Sequence, residues 1–583
     1  HTNVIVIMTD DQGYGDISAH GNPYLNTPNL DGLHSESVRL TNFHVDPTCS
    51  PSRAALMTGR YSTRVGVWLT YGGRNHLRKD EITLADAFRH NGYKTAIFGK
   101  WHLGDNYPFR PQDRGFDESL IHGGGVIGET PDYWNNDYYD DTYLRNGELE
   151  QVSGYCTDVW FDEAGEWIDE NKDDPFFLYV ATNAPHGPFH VPINYVQPFL
   201  DAGIPERRAR FYGMIRVIDE GLGRLRSKLE ELEIADDTLI VFLTDNGSAS
   251  GATVTPGRNG FVVEGYNAGM RGLKTSAYEG GHRAAGFFHW PNGELAQGTN
   301  VPQLTAHFDL FPTLVELCNL DMPKKVKFDG IDVSPLLRGQ TELWDDRTLF
   351  VHNQGRFGGF IGDGLLIKDK EYAVMTDEWR LVGEELYDIR NDPEQRTDVA
   401  EEHSKVVRQL REDYETWWDD VSVGSEAFVP FVIDTTQQEI FTLSSQNWHG
   451  GDVPYNQRHV RTGMKTNGYW VVDIVEDGSY EFSVRRWPKE AESSFSSKVE
   501  LGPYSADKHN TSNSSIADPT RSITVKSVRL KAGNYDQTVF VAPSDVEARF
   551  TVYLSSGEQK IETWLIDEEG ESTAAYYVYL KKV

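Results

Sequence analysis

The chain has 583 residues and a formal net charge of −34 at pH 7. One ordinary hydrophobic core rarely holds so many residues, so we expect two or three domains. The acidic charge argues against nucleic-acid binding, because phosphate contacts need clustered Lys and Arg, and any anionic substrate must meet a local cationic pocket. No apolar run approaches the ~20 residues that span a bilayer, so no membrane span is expected. The three cysteines are too few for a disulfide framework and leave at least one free thiol.

Residues 1–345 have the pattern of an α/β domain. Continuous apolar runs of strand length lie at 4–8, 176–180 and 239–243, and such runs suit strands buried on both faces of a parallel sheet. Between the last two runs, apolar residues at 218–232 recur at three- and four-residue steps, which predicts an amphipathic helix. The alternation of strands and helices indicates a doubly wound, mostly parallel sheet.

The remainder of the chain predicts two smaller units. Residues 346–424 combine short apolar segments with a helix that has one apolar face, which predicts a small α+β subdomain. Beyond this point apolar and polar residues alternate, as at 480–484 and 550–554, which predicts a β-rich domain over residues 425–583. The Ser- and Asn-rich stretch 510–515 is expected to be a loop.

Polar side chains follow each of the three predicted strands. Asp10 and Asp11 follow the first strand, His186 lies just after the second, and Asp245 and Asn246 follow the third. In open α/β sheets, ligands bind beyond the carboxyl ends of the strands. A single Asp at such a place is more often a helix cap or a turn residue. Together, however, the carboxylate and amide oxygens predict a site for a hard divalent cation such as calcium.

The segment Cys49-Ser50-Pro51-Ser52-Arg53 opens a short predicted helix that ends before Gly59. Cys49 would lie at the helix N-terminus, where free N–H groups and the helix dipole favour an anion. Arg53 lies one helical turn further on, facing the same side. The alternative reading is a buried structural cysteine, which is the usual fate of a lone Cys.

This Cys49–Arg53 segment resembles the signature of the type I sulfatases, a family of the alkaline phosphatase superfamily. The resemblance covers roughly residues 3–420. Within the family, the chain is similar to bacterial arylsulfatase-like polysaccharide sulfatases. Five further blocks resemble the family pattern in its order. They are Thr9-Asp10-Asp11-Gln12-Gly13, Gly92-Tyr93-Lys94-Thr95 with Gly99-Lys100-Trp101-His102-Leu103-Gly104, Thr244-Asp245-Asn246-Gly247, Gly272-Leu273-Lys274 with Glu279-Gly280-Gly281, and Glu385-Leu386-Tyr387-Asp388 with Asp392-Pro393.

The resemblance implies an alkaline phosphatase-like fold and two unusual components of the site. A maturation enzyme would oxidise Cys49 to formylglycine. Calcium would bind to Asp10, Asp11, Asp245 and Asn246, with an oxygen of the modified Cys49 completing the site.

The resemblance also implies catalytic roles for five other residues. Arg53 and Lys100 would hold the formylglycine and the sulfate, and His102 would be the base that regenerates the aldehyde. His186 and Lys274 would meet the oxygen of the leaving alcohol. Elementary chemistry agrees, because sulfate is a poor electrophile until cations neutralise its charge, and a leaving alkoxide needs a proton that histidine can give. One hydroxyl of the hydrated aldehyde attacks sulfur, and the second lets the sulfated residue collapse to aldehyde and free sulfate.

The resulting expectation is an enzyme that hydrolyses a sulfate ester on a polysaccharide or oligosaccharide. One alternative is a phosphate-diester or phosphonate-ester hydrolase of the same superfamily, and another is a carbohydrate-binding protein with an inactive sulfatase domain. We expect a periplasmic or secreted protein whose signal peptide has already been removed. The oligomeric state is left open.

Further expectations concern substrate contacts outside the motifs. His122, Arg271, His282 and His352 are predicted to contact the sugar or a second anionic group, with an ordinary polar contact as the alternative for each. The β-rich domain carries many hydrogen-bonding side chains near residues 448–458. It is expected either to buttress the catalytic domain or to bind sugar.

Overall fold

The computed structural model of the protein describes residues 2–341, 343–354, 366–499 and 520–583, so the predicted loop at 510–515 lies outside the described residues. Within the first range, ten strands form one mixed sheet whose five central strands are parallel. From edge to edge, the strands are Asn300–Val301, Val38–Leu40, Gly286–His289, Thr238–Thr244, Asn3–Thr9, Phe176–Ala181, Lys94–Lys100, Glu118–His122, Thr142–Arg145 and Glu148–Gln151.

The central strand, Asn3–Thr9, shows why this sheet is covered on both faces. All of its residues are buried. Ile5 and Ile7 belong to one apolar core, whereas Val4 and Val6 belong to another. Since side chains alternate across a strand, a strand that is apolar on both sides needs cover on both sides. The two cores provide that cover, which confirms the predicted doubly wound, mostly parallel α/β architecture.

Helices pack on the two faces of the sheet. Cys156–Asn171 and Glu206–Glu231 contribute to the core of Ile5, and Cys49–Thr58 and Leu310–Leu317 contribute to the opposite core. Within the described residues, no helix combines the length and the apolar character needed to cross a membrane. The other α-helices of the described residues are Pro28–Glu36, Leu84–His90, Ile193–Asp201, Glu279–His282, Ser334–Leu337, Ser404–Val421 and Gln457–Thr462.

A small antiparallel sheet follows the large one and has the predicted α+β character. Its strands are Leu349–His352, Tyr372–Met375, Trp379–Val382 and Glu385–Asp388. The helix Ser404–Val421 packs its apolar face against this sheet, and the two share one core. Two short ladders flank the large sheet, formed by Phe43–His44 with Thr305–Ala306 and by Ala252–Thr255 with Phe261–Gly265.

The C-terminal part of the chain contains two β-sheets that share one apolar core, as its alternating pattern predicts. The predicted strands around Phe482 and Phe550 are present, and these two residues lie opposite each other in an antiparallel pair. One sheet contains Phe431–Ile433, Tyr469–Ile474, Gly557–Ile566, Ser527–Ala532, Tyr535–Phe540 and Ser572–Thr573. The other contains Phe441–Ser444, Tyr577–Lys582, Gly478–Arg485 and Ala548–Leu554.

Candidate active site

Two adjacent parallel strands bring four polar side chains to one point at the carboxyl edge of the large sheet. The strands are in register up to their last residues, so the residues that follow them meet. The Asp11 backbone N–H donates to Asp245 Oδ1 over 2.9 Å, and Asn246 Nδ2 donates to Asp11 Oδ1 over 2.9 Å. All four residues, including Asp10, are buried. We call Asp10, Asp11, Asp245, Asn246 and Cys49 the strand-end cluster.

Cys49 begins the helix Cys49–Thr58 beside these oxygens. Its Sγ lies within 4.8 Å of carboxylate oxygens of Asp10 and Asp245 and 3.5 Å from Lys274 Nζ. Burial raises the pKa of the Cys49 thiol to about 11. Because the thiolate is the reactive form, an unmodified Cys49 is a weak nucleophile at neutral pH.

Cationic side chains pair with the carboxylates of the cluster. Burying an unpaired charge costs several kcal/mol, and these pairs offset that cost in the folded protein. The three cations and the three carboxylates balance in charge. A sulfate ester that enters adds negative charge, which only a further cation offsets. The pairs are Lys100 with Asp10 at 2.7 Å, Arg53 with Asp245 at 3.1 Å and Lys274 with Asp11 at 2.5 Å.

The carboxylates perturb one another. Burial, together with the neighbouring Asp10, raises the pKa of Asp245 to about 7. Burial would also raise the pKa of Asp11, but His186 and Lys274 hold it below its usual range. Crowded carboxylates of this kind are stabilised as anions when a divalent cation binds between them.

The strand-end cluster also has unused acceptors. Asp10 Oδ1 and Asn246 Oδ1 are buried and accept no hydrogen bond from any described residue. A buried acceptor without a partner costs about 1–3 kcal/mol, so these two oxygens are available to a bound cation or to a water molecule. Carboxylate and amide oxygens are hard ligands of the kind that calcium takes. The residues present therefore fit a divalent cation.

His102 lies two residues after the end of the strand that carries Lys100, with a left-handed φ of 62°. Its Nε2 lies 2.8 Å from the Thr70 carbonyl oxygen. Because a carbonyl only accepts, Nε2 carries the proton and Nδ1 keeps its lone pair. Nδ1 is buried and has no hydrogen-bond partner among the described residues. Burial and the nearby Lys100 lower the pKa of the imidazole well below its usual range, so the ring is neutral.

His186 lies on the solvent side of the cluster. Its side chain is 23% exposed, whereas that of Asp11 is 4% exposed. Nε2 lies 3.5 Å from Asp11 Oδ2, and Nδ1 donates to the Gly187 carbonyl oxygen over 2.6 Å. Burial lowers the pKa of His186 to about 4, and an anion that binds beside it would raise this value.

Among the residues predicted to contact substrate, His122 lies beside the cluster. It faces Lys100 in the parallel pair of neighbouring strands. Its Nδ1 lies 3.0 Å from the Gly123 carbonyl oxygen, and its buried Nε2 has no hydrogen-bond partner among the described residues. His122 thus forms part of the inner wall of the site.

The structure does not bring the other three of these residues into contact with the cluster. The Arg271 guanidinium lies 3.8 Å from the Tyr278 ring centroid and donates to the Tyr387 hydroxyl over 2.8 Å. His282 and His352 are buried and hydrogen-bonded to other side chains. A buried side chain whose polar atoms are already paired has nothing to offer a substrate. The contacts of these three residues favour the ordinary polar contact that the sequence left open as the alternative for each of them.

Sequence reasoning missed three groups that shape the site. The Tyr179 hydroxyl lies 3.4 Å from Arg53 Nη1, and the Thr70 carbonyl fixes the tautomer of His102. A Cβ added to Gly125 would come within 2.1 Å of His102 Cε1, so the backbone lies flat against the imidazole. The run of glycines at 123–125 is the one signal that indicates such a close backbone approach.

Comparison with known proteins identifies the class of enzyme. The sequence model of the family described as Sulfatase matches residues 2–320, and that described as N-sulphoglucosamine sulphohydrolase, C-terminal, matches residues 274–418. Arylsulfatase G of Mus musculus is 32% identical over 395 residues, which cover 61% of this chain and 73% of the relative. N-acetylgalactosamine-6-sulfatase of Homo sapiens is 33% identical over 378 residues, which cover 60% and 68%.

A solved structure is similar over a longer stretch. The crystal structure of Ps i-CgsB in complex with k-i-k-neocarrahexaose has a TM-score of 0.62 at 28% identity, covering 71% of this chain and 92% of that one. The sulfatase match alone covers more than half of the chain, so the protein belongs to the sulfatase family. It is a type I sulfatase with an alkaline phosphatase-like fold, and its enzyme class is sulfuric ester hydrolase. These findings confirm the family, fold and enzyme class expected from the motifs.

Proposed function

We propose that this sulfatase removes sulfate from a sulfated polysaccharide or oligosaccharide, using a formylglycine made from Cys49 and a bound calcium ion. The observation that carries the proposal is the position of Cys49, whose buried Sγ lies among two carboxylates and Lys274 at a helix N-terminus. The choice of a saccharide as substrate is based on similar proteins, since one is named an N-acetylgalactosamine-6-sulfatase and another is in complex with a neocarrahexaose.

In this proposal Asp10, Asp11, Asp245 and Asn246 hold the calcium, together with the modified residue 49. The unused oxygens of Asp10 and Asn246 support the assignment. When bound, a divalent cation supplies positive charge that neutralises the sulfate and lowers the pKa of an adjacent hydroxyl. A formylglycine at residue 49 would supply an oxygen nucleophile in place of the protonated thiol.

The cationic side chains bind and orient the sulfate. Arg53 and Lys100 are fully buried, and their partners fix their positions before substrate arrives. Preorganised cations of this kind stabilise developing negative charge without having to reorganise during the reaction. Lys274 lies between Asp11 and Cys49, so its ammonium can reach both residue 49 and an oxygen bound beside it.

In this proposal the two histidines move protons to and from the reacting groups. His102 presents an unprotonated Nδ1, which suits a base that takes a proton from residue 49. His186 is partly exposed, on the side from which an alcohol leaves. A sugar alkoxide is a poor leaving group, so a proton from His186 or Lys274 accelerates its departure.

The proposal extends to the context of the enzyme. A maturation enzyme would oxidise Cys49, and the protein would work in the periplasm or outside the cell. We further propose a catalytic domain at 1–345, a small subdomain at 346–424 and a β-rich accessory domain at 425–583, since each part supplies most residues of at least one apolar core.

The test compares hydrolysis of sulfated oligosaccharides with hydrolysis of aryl phosphonate monoesters and phosphate diesters by the same calcium-loaded preparation. We expect sulfate release, measured by ion chromatography, to exceed phosphorus-ester hydrolysis by at least about 10²-fold in kcat/KM, which is an effect of a few kcal/mol on the transition state. Faster phosphonate hydrolysis would support the alternative hydrolase. Sugar binding without any hydrolysis would support an inactive domain.

A further inference from the structure

Two loops of the large domain set the orientation of His102. The Thr70 carbonyl accepts the hydrogen bond from Nε2 over 2.8 Å. Gly125 lies against the face of the His102 ring, so close that an added Cβ would overlap the imidazole. A base must be held within a fraction of an ångström of its working position, so whatever fixes these two loops also fixes the base.

Gln446 contacts both loops at once. Its backbone carbonyl oxygen accepts from the backbone N–H of Gly72, two residues beyond Thr70, over 2.7 Å. Its side-chain Nε2 donates to Glu129 Oε2, and the same oxygen accepts from the Gly125 backbone N–H over 2.6 Å. One glutamine thus connects the loop that bonds to the imidazole edge with the loop that lies against the imidazole face.

Gln446 belongs to the β-rich part of the chain, which holds it firmly. It is fully buried and lies just beyond the strand Phe441–Ser444, which pairs with Tyr577–Lys582. The neighbouring Ser445 N–H donates to the Tyr576 carbonyl over 2.8 Å. The position of Gln446 is therefore set by a sheet that lies outside the sulfatase family matches.

We infer that Gln446 is a positioning residue for His102, through which the β-rich domain completes the active site. The inference rests on the proposed function, because it takes His102 as a base in sulfate-ester hydrolysis. It gives the domain a specific role, namely to fix the tautomer and the plane of one imidazole.

The main test is a double-mutant cycle on an aryl sulfate with the full-length, calcium-loaded, matured enzyme. Gln446→Met keeps the length of the side chain but removes its donor to Glu129. We expect kcat to fall about 10-fold and KM to change less than about twofold, in line with the loss of a partner that orients an active-site ligand or base. In a His102→Ala background, Gln446→Met should change kcat less than about twofold, because the residue it positions is gone.

A matched control lies in the same interface. Gln438 donates to Asn106 Oδ1 over 2.9 Å and accepts from the Tyr107 N–H over 2.8 Å, with no bond to either loop that contacts His102. Gln438→Met therefore removes more hydrogen bonds between the domains than Gln446→Met does, but it should leave kcat within about twofold of wild type.

If Gln446→Met fails to fold, a second pair of variants tests the hydrogen bonds that join Gln446 through Glu129 to the Gly125 backbone. Glu129→Gln keeps an oxygen that accepts from the Gly125 N–H, so it should restore most of the kcat that Glu129→Ala loses. Equal losses in both Glu129 variants, or an equal loss from Gln446→Met with and without His102, would overturn the inference. So would a Gln446→Met enzyme that folds and turns over like wild type. Full activity of His102→Ala alone would instead refute the proposed role of His102, and the inference with it.

Discussion

Two buried groups of side chains in the large domain have the composition of a metal site. The first is the strand-end cluster. The second, which we call the histidine cluster, contains His44, Glu279 and His282. The potential ligand atoms of the histidine cluster lie within 4.8 Å of one another, as do those of Asp10, Cys49 and Asp245 in the strand-end cluster, so composition and distance alone do not separate them.

Hydrogen bonding separates the two clusters. In the strand-end cluster, buried oxygens of Asp10 and Asn246 accept no hydrogen bond from the described residues. In the histidine cluster, each ring nitrogen and both carboxylate oxygens lie within hydrogen-bond distance of a polar atom of another residue. These contacts are His44 Nδ1 with His282 Nδ1 at 2.9 Å, His44 Nε2 with Asn42 Oδ1 at 2.9 Å, His282 Nε2 with the Ala277 carbonyl at 3.1 Å, and Glu279 with Arg380 at 2.5 Å and Arg283 at 3.1 Å.

The two clusters differ in unused hydrogen-bonding capacity, and this capacity, rather than residue type, distinguishes a ligand site from a structural network. A buried network in which every member is paired makes the fold rigid and specific. One with unpaired acceptors is incomplete without a ligand. The two clusters should therefore respond differently to substitution, with activity lost from one and stability lost from the other.

The largest expected effect is that of Asp245→Ala in the strand-end cluster. The variant removes one of the anionic oxygens that would hold calcium, and metal ions supply several kcal/mol of transition-state stabilisation. We expect calcium binding, measured by isothermal titration calorimetry, to be lost, and kcat/KM to fall by about three orders of magnitude or more. Near-normal turnover without calcium would refute the metal assignment.

His186→Ala should produce a loss that depends on the leaving group. A sugar alkoxide needs a proton, whereas a nitrophenolate hardly does, so the loss on a sulfated sugar should exceed that on an aryl sulfate by about 10²–10⁴-fold. Steady-state kinetics on the two substrates gives both ratios. Equal losses would mean that His186 only positions the sulfate, and Lys274 would then be the next acid to examine.

Glu279→Gln in the histidine cluster should affect stability instead. Glu279 is fully buried between Arg380 and Arg283, and breaking a buried pair by removing one charge costs about 3–5 kcal/mol. We expect a clear fall in the free energy of unfolding in urea, while kcat/KM per folded molecule stays within about threefold of wild type. A loss of activity at unchanged stability would place this cluster in the site.

The smallest effect is expected for Arg271→Met. Its guanidinium stacks on Tyr278 and donates to the Tyr387 hydroxyl, so the variant should lose about 1–2 kcal/mol of stability. KM for a sulfated saccharide should not change by more than about twofold. A tenfold rise in KM would restore Arg271 as a substrate ligand.

The sequence was sufficient to predict the main strands and the residues that the family motifs contain. Apolar runs predict the central strands because those strands are buried on both faces, as Asn3–Thr9 shows. Residue type did not predict the environment of Arg271 or His282, since it does not reveal whether a polar atom is already paired. The contact of His102 with Thr70 could not be predicted from the sequence either, because it uses a backbone carbonyl that any residue would supply.

The role inferred for Gln446 depends on long-range packing. Gln446 and Glu129 lie more than 300 residues apart, and no local pattern relates them. Only the docking of the β-rich sheets against the glycine-rich loop brings these side chains together. Long-range contacts of this kind follow from the whole set of strand pairings and not from a motif.

Mass spectrometry of the peptide that contains residue 49 in active enzyme shows whether Cys49 works in a modified form. Oxidation of the thiol to the aldehyde should lower the mass of this peptide by about 18 Da. We predict that the specific activity of different preparations rises in proportion to the modified fraction. Full activity in a preparation that contains only the unmodified cysteine would refute the role proposed for formylglycine.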